Sequence, residues 1–163
     1  MSESKSYTME ELLQELQPPY ADQAHLANIL NTLAYHFERP WREETPAPML
    51  TVGFTPILGQ YLELSEDARE ELLACLCQLY EPYSGQKLDL DLSIIKDNLQ
   101  IIAPSGLISA LSLISDECAP DAEARIQPYL THEKESVREV AEEELEELAS
   151  VREFHRRRSE AQP

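Results

Sequence analysis

Apolar side chains recur at every third or fourth position through most of this chain, and that spacing predicts helices nearly throughout. The clearest case lies near the C-terminus. There Val137, Val140, Ala141, Leu145, Leu148 and either Val151 or Arg152 form one stripe over residues 135–153, and such a stripe must be buried against another surface. A shorter helix over 121–130, opened by Pro120-Asp121, supplies it. Its apolar positions are Ala122, Ile126, Tyr129 and Leu130, with a turn near Thr131-His132, so Ile126 and Leu130 are the expected cover.

Upstream, Thr8-Met9-Glu10-Glu11 fits a capping box that opens a helix over 9–16, and Pro18-Pro19 ends it. A helix over 22–38 carries Leu26, Ile29, Leu30, Leu33 and Phe37 on one face, with His25, Asn28, Thr32 and His36 on the other. Residues 39–56 hold Pro40, Pro46, Pro48, Pro56 and Gly53, which predicts a short or broken helix over 45–52 and its continuation over 56–62. Ser65 caps a helix over 65–80 with Leu72, Leu73, Leu76, Leu79 and Tyr80 inward. The run from Lys87 to Ile94 alternates like a strand. In the longer window Leu88, Leu92, Ile95, Leu99 and Ile102 follow helical spacing, which predicts a helix over 91–102. Pro104-Ser105-Gly106 breaks it, and Leu107, Ala110, Leu111 and Ile114 mark the next helix over 106–115. The expected fold is therefore all-α, an antiparallel helical array over 1–158 with a flexible tail over 159–163. Stacked helix pairs would make a small α-solenoid; the alternative is a globular helical bundle.

The C-terminal helix pair resembles a HEAT-type repeat on Val137-Arg138, Ala141 and Leu145. In that family a Val-Arg pair is followed by Ala four positions after the Val and by Leu four after that. Where the family has an aspartate in the inter-helix turn, this chain has His132-Glu133. The resemblance covers about a quarter of the chain and implies a HEAT-like solenoid.

Charge sharpens the picture. The 163 residues include 13 Lys and Arg against 31 Asp and Glu, a formal net charge of −18. Arg152, Arg156, Arg157 and Arg158 crowd the last thirteen residues, so residues 1–150 hold nine basic against twenty-nine acidic side chains, a balance of −20. A body charged like that repels phosphate backbones and anionic lipid, which argues against direct nucleic-acid or membrane binding and favours a basic protein partner. On the last helix Glu135, Glu139, Glu143 and Glu147 stand four apart, with Glu142 and Glu146 beside them. Like charges at this spacing cost roughly 0.2–0.5 kcal/mol per pair. A solvated face accommodates such a row; so does a surface awaiting a cationic partner. No apolar run reaches the length of a membrane span, and the first residues lack the apolar core of a secretory signal. Three cysteines form no disulfide framework, and a reducing cytoplasm is the expected location.

Catalytic and metal chemistry finds little to work with. His25 and His36 lie three turns apart on one helix, roughly 16 Å at the helical rise, too far for one zinc ion. Cys75 and Cys77 point to different sides of theirs. Asp89-x-Asp91-x-Ser93 begins like a calcium loop, but Ile94 occupies the glycine position and Gln100 that of the bidentate glutamate. No cofactor, metal or enzymatic role is expected. The expected function is protein binding that neutralises a basic partner. Small size, acidity and helical content make the chain similar in type to the immunity proteins of bacterial toxin systems, and this likeness implies a cationic nuclease toxin as partner. The alternative is a HEAT-like adaptor or assembly subunit. The candidate partner-binding residues are Tyr83, Asp89, Asp91, Asp97, Trp41, Glu139 and Glu143: acidic positions near aromatic anchors, at a helix start or in the Glu row.

Overall fold

A computed structural model describes residues 7–38, 45–82 and 88–161, and Trp41 and Tyr83 lie outside them. The described residues form eight α-helices: α1 Met9–Gln14, α2 Gln23–His36, α3 Ala47–Gly59, α4 Glu66–Leu79, α5 Ser93–Lys96, α6 Pro104–Glu117, α7 Ala122–Ile126 and α8 Glu135–Ala161. Short 3-10 turns at Tyr61–Glu63, Leu99–Ile101 and Gln127–Thr131 link some of them, and no strand occurs among the described residues.

Local chemistry sets most starts and stops. Thr8 and Glu11 close the capping box of α1, Asp22 accepts the backbone N–H groups of Ala24 and His25 to cap α2, and Ser65 does the same for Ala68 in α4. Cys118 ends α6 in the left-handed conformation, φ 55°, so that its N–H reaches the carbonyls of Ile114 and Ser115.

Four long helices, α2, α4, α6 and α8, lie side by side in chain order. Hydrogen bonds tie equivalent positions along them. Ser65 N–H donates to Gln23 across α2 and α4, Ser105 donates to Glu70 across α4 and α6, and Ser112 donates to Glu144 across α6 and α8. Near the far ends, Arg152 of α8 donates to the Ala119 carbonyl just after α6. The long helices therefore share a direction, and the shorter segments between them run back, giving the antiparallel array. Their inward stripes, among them Leu30, Leu33, Leu72, Leu76, Leu111, Ile114, Val137 and Leu148, merge with Leu12, Phe54 and Ile57 into one continuous core.

Several sequence expectations need correction. The region expected to break between residues 52 and 56 is the single helix α3: Pro48 sits in its first turn and Pro56 inside it. The hydrogen bond Pro56 removes falls at the carbonyl of Val52, on the solvent side, while burial of Leu50, Phe54, Ile57 and Leu58 holds the helix together. The helix expected over 91–102 is only one α-helical turn and one 3-10 turn. Before it, residues 88–92 belong to no helix or strand, yet Leu88, Leu90 and Leu92 are buried and Asp89 and Asp91 exposed, so the period of two reported a real alternation of burial. Pro104 and Gly106 lie inside α6 instead of breaking it. Proline is at home in a first turn, and a Cβ on Gly106 would stand 2.9 Å from Ile102 Cγ2. The helix expected over 121–130 stops at Ile126, and the 3-10 turn that follows leaves Leu130 40% exposed; Ile126 is the buried contact and Leu130 is not. Val151, not Arg152, continues the stripe of α8, and Leu145 is only partly buried at its edge.

Candidate functional site

The long helices bury one side against the core, and the side chains at their opposite junctions stay half-buried. On α6 these are Ser109, Ser112 and Asp116, spaced three and four apart, flanked by Cys77 of α4 and by Glu144 and Glu147 of α8. Small residues let the helices approach. The Cys77 thiol donates to the Ser109 carbonyl at 3.2 Å, and the Ser112 hydroxyl donates to Glu144 Oε1 at 2.8 Å. Glu144 and Glu147 lie on the flank of α8 turned towards α6, which places two carboxylates beside Asp116.

That arrangement is electrostatically costly. Burial, then the charges of Glu144 and Glu147, push the Asp116 carboxyl up to about 7. Burial and the neighbouring Asp116 and Glu144 push the Cys77 thiol up to about 12, so it is a packed hydrogen-bond donor and no nucleophile. The surface continues outward along α8 through Glu143 and Glu139 to the expected row of glutamates. Glu135, Glu139, Glu142, Glu143, Glu146 and Glu147 have no cationic partner among the described residues.

Five of the basic side chains pair with carboxylates elsewhere. Lys96 pairs with Glu117 and Asp121, Arg125 with Asp97 at 2.8 Å and Asp121 at 3.1 Å, and Arg152 with Glu123 at 3.5 Å, all where α5, α7 and α8 meet the end of α6. Arg156 and Arg157 pair with Glu153 within α8. The result is a corner where carboxylates are paired with cations, beside a face where they are not.

The structure separates the sequence-derived candidates. Glu139 and Glu143 are exposed on α8 and have no ion pair among the described residues. Asp97 is exposed but engaged by Arg125, and Asp91 accepts the Ser93 N–H at 3.0 Å and the Ser93 hydroxyl, which closes the turn opening α5 and lowers its pKa. Asp89 is exposed, and the pKa of the Tyr80 phenol is raised by burial, then by the charges of Glu117 and Asp89. These three aspartates stand around α5, at the corner, and do not join the carboxylates of α6 and α8. Asp116 and Glu144 were not singled out from sequence. Their signal was present in the polar stripe Ser105, Ser109, Ser112 and Asp116, and in the position of Glu144 three after Ala141 and four before Leu148, at the edge of the apolar stripe.

No family model, curated protein or solved structure matches this chain. Among the described residues no three potential metal ligands converge, and no helix is long and apolar enough to cross a membrane.

Proposed function

We propose that this protein is a binding module that neutralises a basic protein, an immunity protein that blocks a cationic nuclease-type toxin. The observation that carries the reading is the face formed by Asp116, Glu144 and Glu147 and extended by Glu143 and Glu139, left without a cation among the described residues while other carboxylates are paired. A lysine or arginine docked there would let Asp116 ionise and so relieve a cost the free protein carries. The −18 charge would speed encounter, and a few buried anchors would hold the complex.

A second reading, a HEAT-like adaptor or assembly subunit, is supported by the long helices meeting at equivalent positions, as stacked helix pairs do. Arg138 of the Val-Arg pair supports it as well, because it donates to the carbonyls of His132 and Glu133 and so pins the turn that lacks the family's aspartate. Stopped-flow association with a basic protein encoded next to this one distinguishes the two. The neutralising reading expects a rate that falls with salt and with the double substitution Glu144→Gln and Glu147→Gln. A complex whose association rate ignores both supports the adaptor.

A further inference from the structure

A cleft of about 210 Å³ opens between the turn at Tyr61–Glu63, the first turns of α4 and the turn at Leu99–Ile101. Leu73 and Ile101 give it an apolar side, whereas Glu66, Arg69 and Glu70 bring charge of both signs. Of the half-buried cations among the described residues, Lys96, Arg125, Arg138 and Arg152 each meet a protein oxygen. Arg69 meets none among those residues. Its guanidinium lies over the Tyr61 ring, 5.9 Å from the centroid, and leaves its N–H donors unspent.

Tyr61 adds a second unspent donor. The residue is 0% exposed, and its hydroxyl has no hydrogen-bond partner among the described residues. Burial raises its pKa, with Arg69 working against the rise, so at neutral pH the group remains a phenol able to donate. A buried donor normally finds an acceptor; the Tyr61 hydroxyl has none among the described residues, and the half-buried Arg69 lines the same cleft of a strongly acidic chain. On the acidic side one oxygen of Glu70 takes the Ser105 hydroxyl at 2.6 Å, and Glu66 stands exposed at the start of α4.

We propose that this cleft binds a small aliphatic α-amino acid, with its carboxylate on Arg69 and the Tyr61 hydroxyl, its ammonium towards Glu66 and Glu70, and its side chain against Leu73 and Ile101. The class follows from what each wall accepts. A planar carboxylate matches the fork of a guanidinium. A phosphate, with more charge, meets two carboxylates lining the same cleft, and a simple cation meets Arg69. Sites for drug-sized ligands occupy about 300–1,000 Å³, so this cleft suits a molecule the size of leucine and not a nucleotide. The site lies apart from the carboxylate face and stands or falls independently of the proposed partner.

Isothermal titration of the intact protein tests it with three probes: leucine, isocaproate, which lacks the ammonium, and leucinamide, which lacks the carboxylate. Leucine is expected to bind, and each of the others to bind at least about tenfold more weakly, the worth of one charge-assisted contact. Arg69→Gln should weaken leucine by a similar factor while leaving the helical circular dichroism unchanged and lowering the ligand-free melting point only slightly, because Arg69 holds no ion pair among the described residues and loses only its contact with the Tyr61 ring. Ile101→Ser, at a position 51% exposed, should weaken leucine without affecting the fold, and it decides the question if Arg69→Gln proves unstable. Absence of leucine binding at millimolar concentration, equal binding of all three probes, or unimpaired binding by a folded Arg69→Gln or Ile101→Ser protein overturns the proposal.

Discussion

Replacing Asp116 with Asn should stabilise the protein, by an amount that grows with pH. In the folded chain burial and the charges of Glu144 and Glu147 hold this carboxyl at about 7, whereas an unfolded aspartate titrates at about 3.9. Between those values the native state keeps a proton that the unfolded state has released. Stability contributed by this group is therefore fully present below about pH 4, falls as pH rises through the window, and is gone above about pH 7. Three pH units at about 1.36 kcal/mol each set a ceiling of about 4 kcal/mol, and screening of a half-buried group brings the expected loss to about 2–3 kcal/mol. Asn keeps the volume and removes the charge. At pH 8 the variant should gain about 2–3 kcal/mol, a rise in Tm of about 4–12 °C, and at pH 5 only about 1 kcal/mol. The comparison is best made at pH 5 and above, because the chain's isoelectric point is near 4.4. Urea denaturation followed by circular dichroism at pH 5, 6.5 and 8 reads the difference. A gain independent of pH, or a variant less stable than the wild type at pH 8, would refute the account of Asp116 as a carboxyl crowded by Glu144 and Glu147.

Four further outcomes follow from the packing. Leu148→Ala, at a side chain 1% exposed in mid-stripe, should cost about 2–5 kcal/mol in denaturant melts, Leu145→Ala less, and Glu143→Ala within about 0.5 kcal/mol of zero. Gly53→Ala should destabilise by about 1–3 kcal/mol, because the new Cβ would stand 2.9 Å from Leu13 Cδ2 where α1 crosses α3. Gly59→Ala meets nothing within 4 Å and should be neutral or stabilising by up to about 1 kcal/mol, which thermal melts of the pair would check. Asp91→Ala should lower the melting temperature through loss of its bonds to Ser93, whereas Asp89→Ala, with no such bond among the described residues, should leave it nearly unchanged.

Much of the fold was legible in the sequence because its causes are local. A capping box, two N-caps and apolar spacing of three and four fix α1, α2 and α4 within a few residues, and the start of α8, since each depends on side chains a turn apart; α8 itself runs on to Ala161, past the expected end at residue 153 and into the stretch expected to be a flexible tail. The net charge and the glutamate row were equally plain, being sums and spacings. Proline was misleading at positions 56 and 104 because its local cost is set against burial that the sequence alone does not display. Leu88, Leu90 and Leu92 satisfied a period of two while every fourth position around them satisfied a helix, and only the core they enter chose between the patterns. The acidic surface divides in the same way. Sequence placed Glu139 and Glu143 on one face of one helix. Tertiary packing brought Asp116 of α6 beside Glu144 and Glu147 of α8, and sent Arg125 to Asp97, because the distance between charges on different helices is set by how those helices pack, and charge interactions depend on that distance.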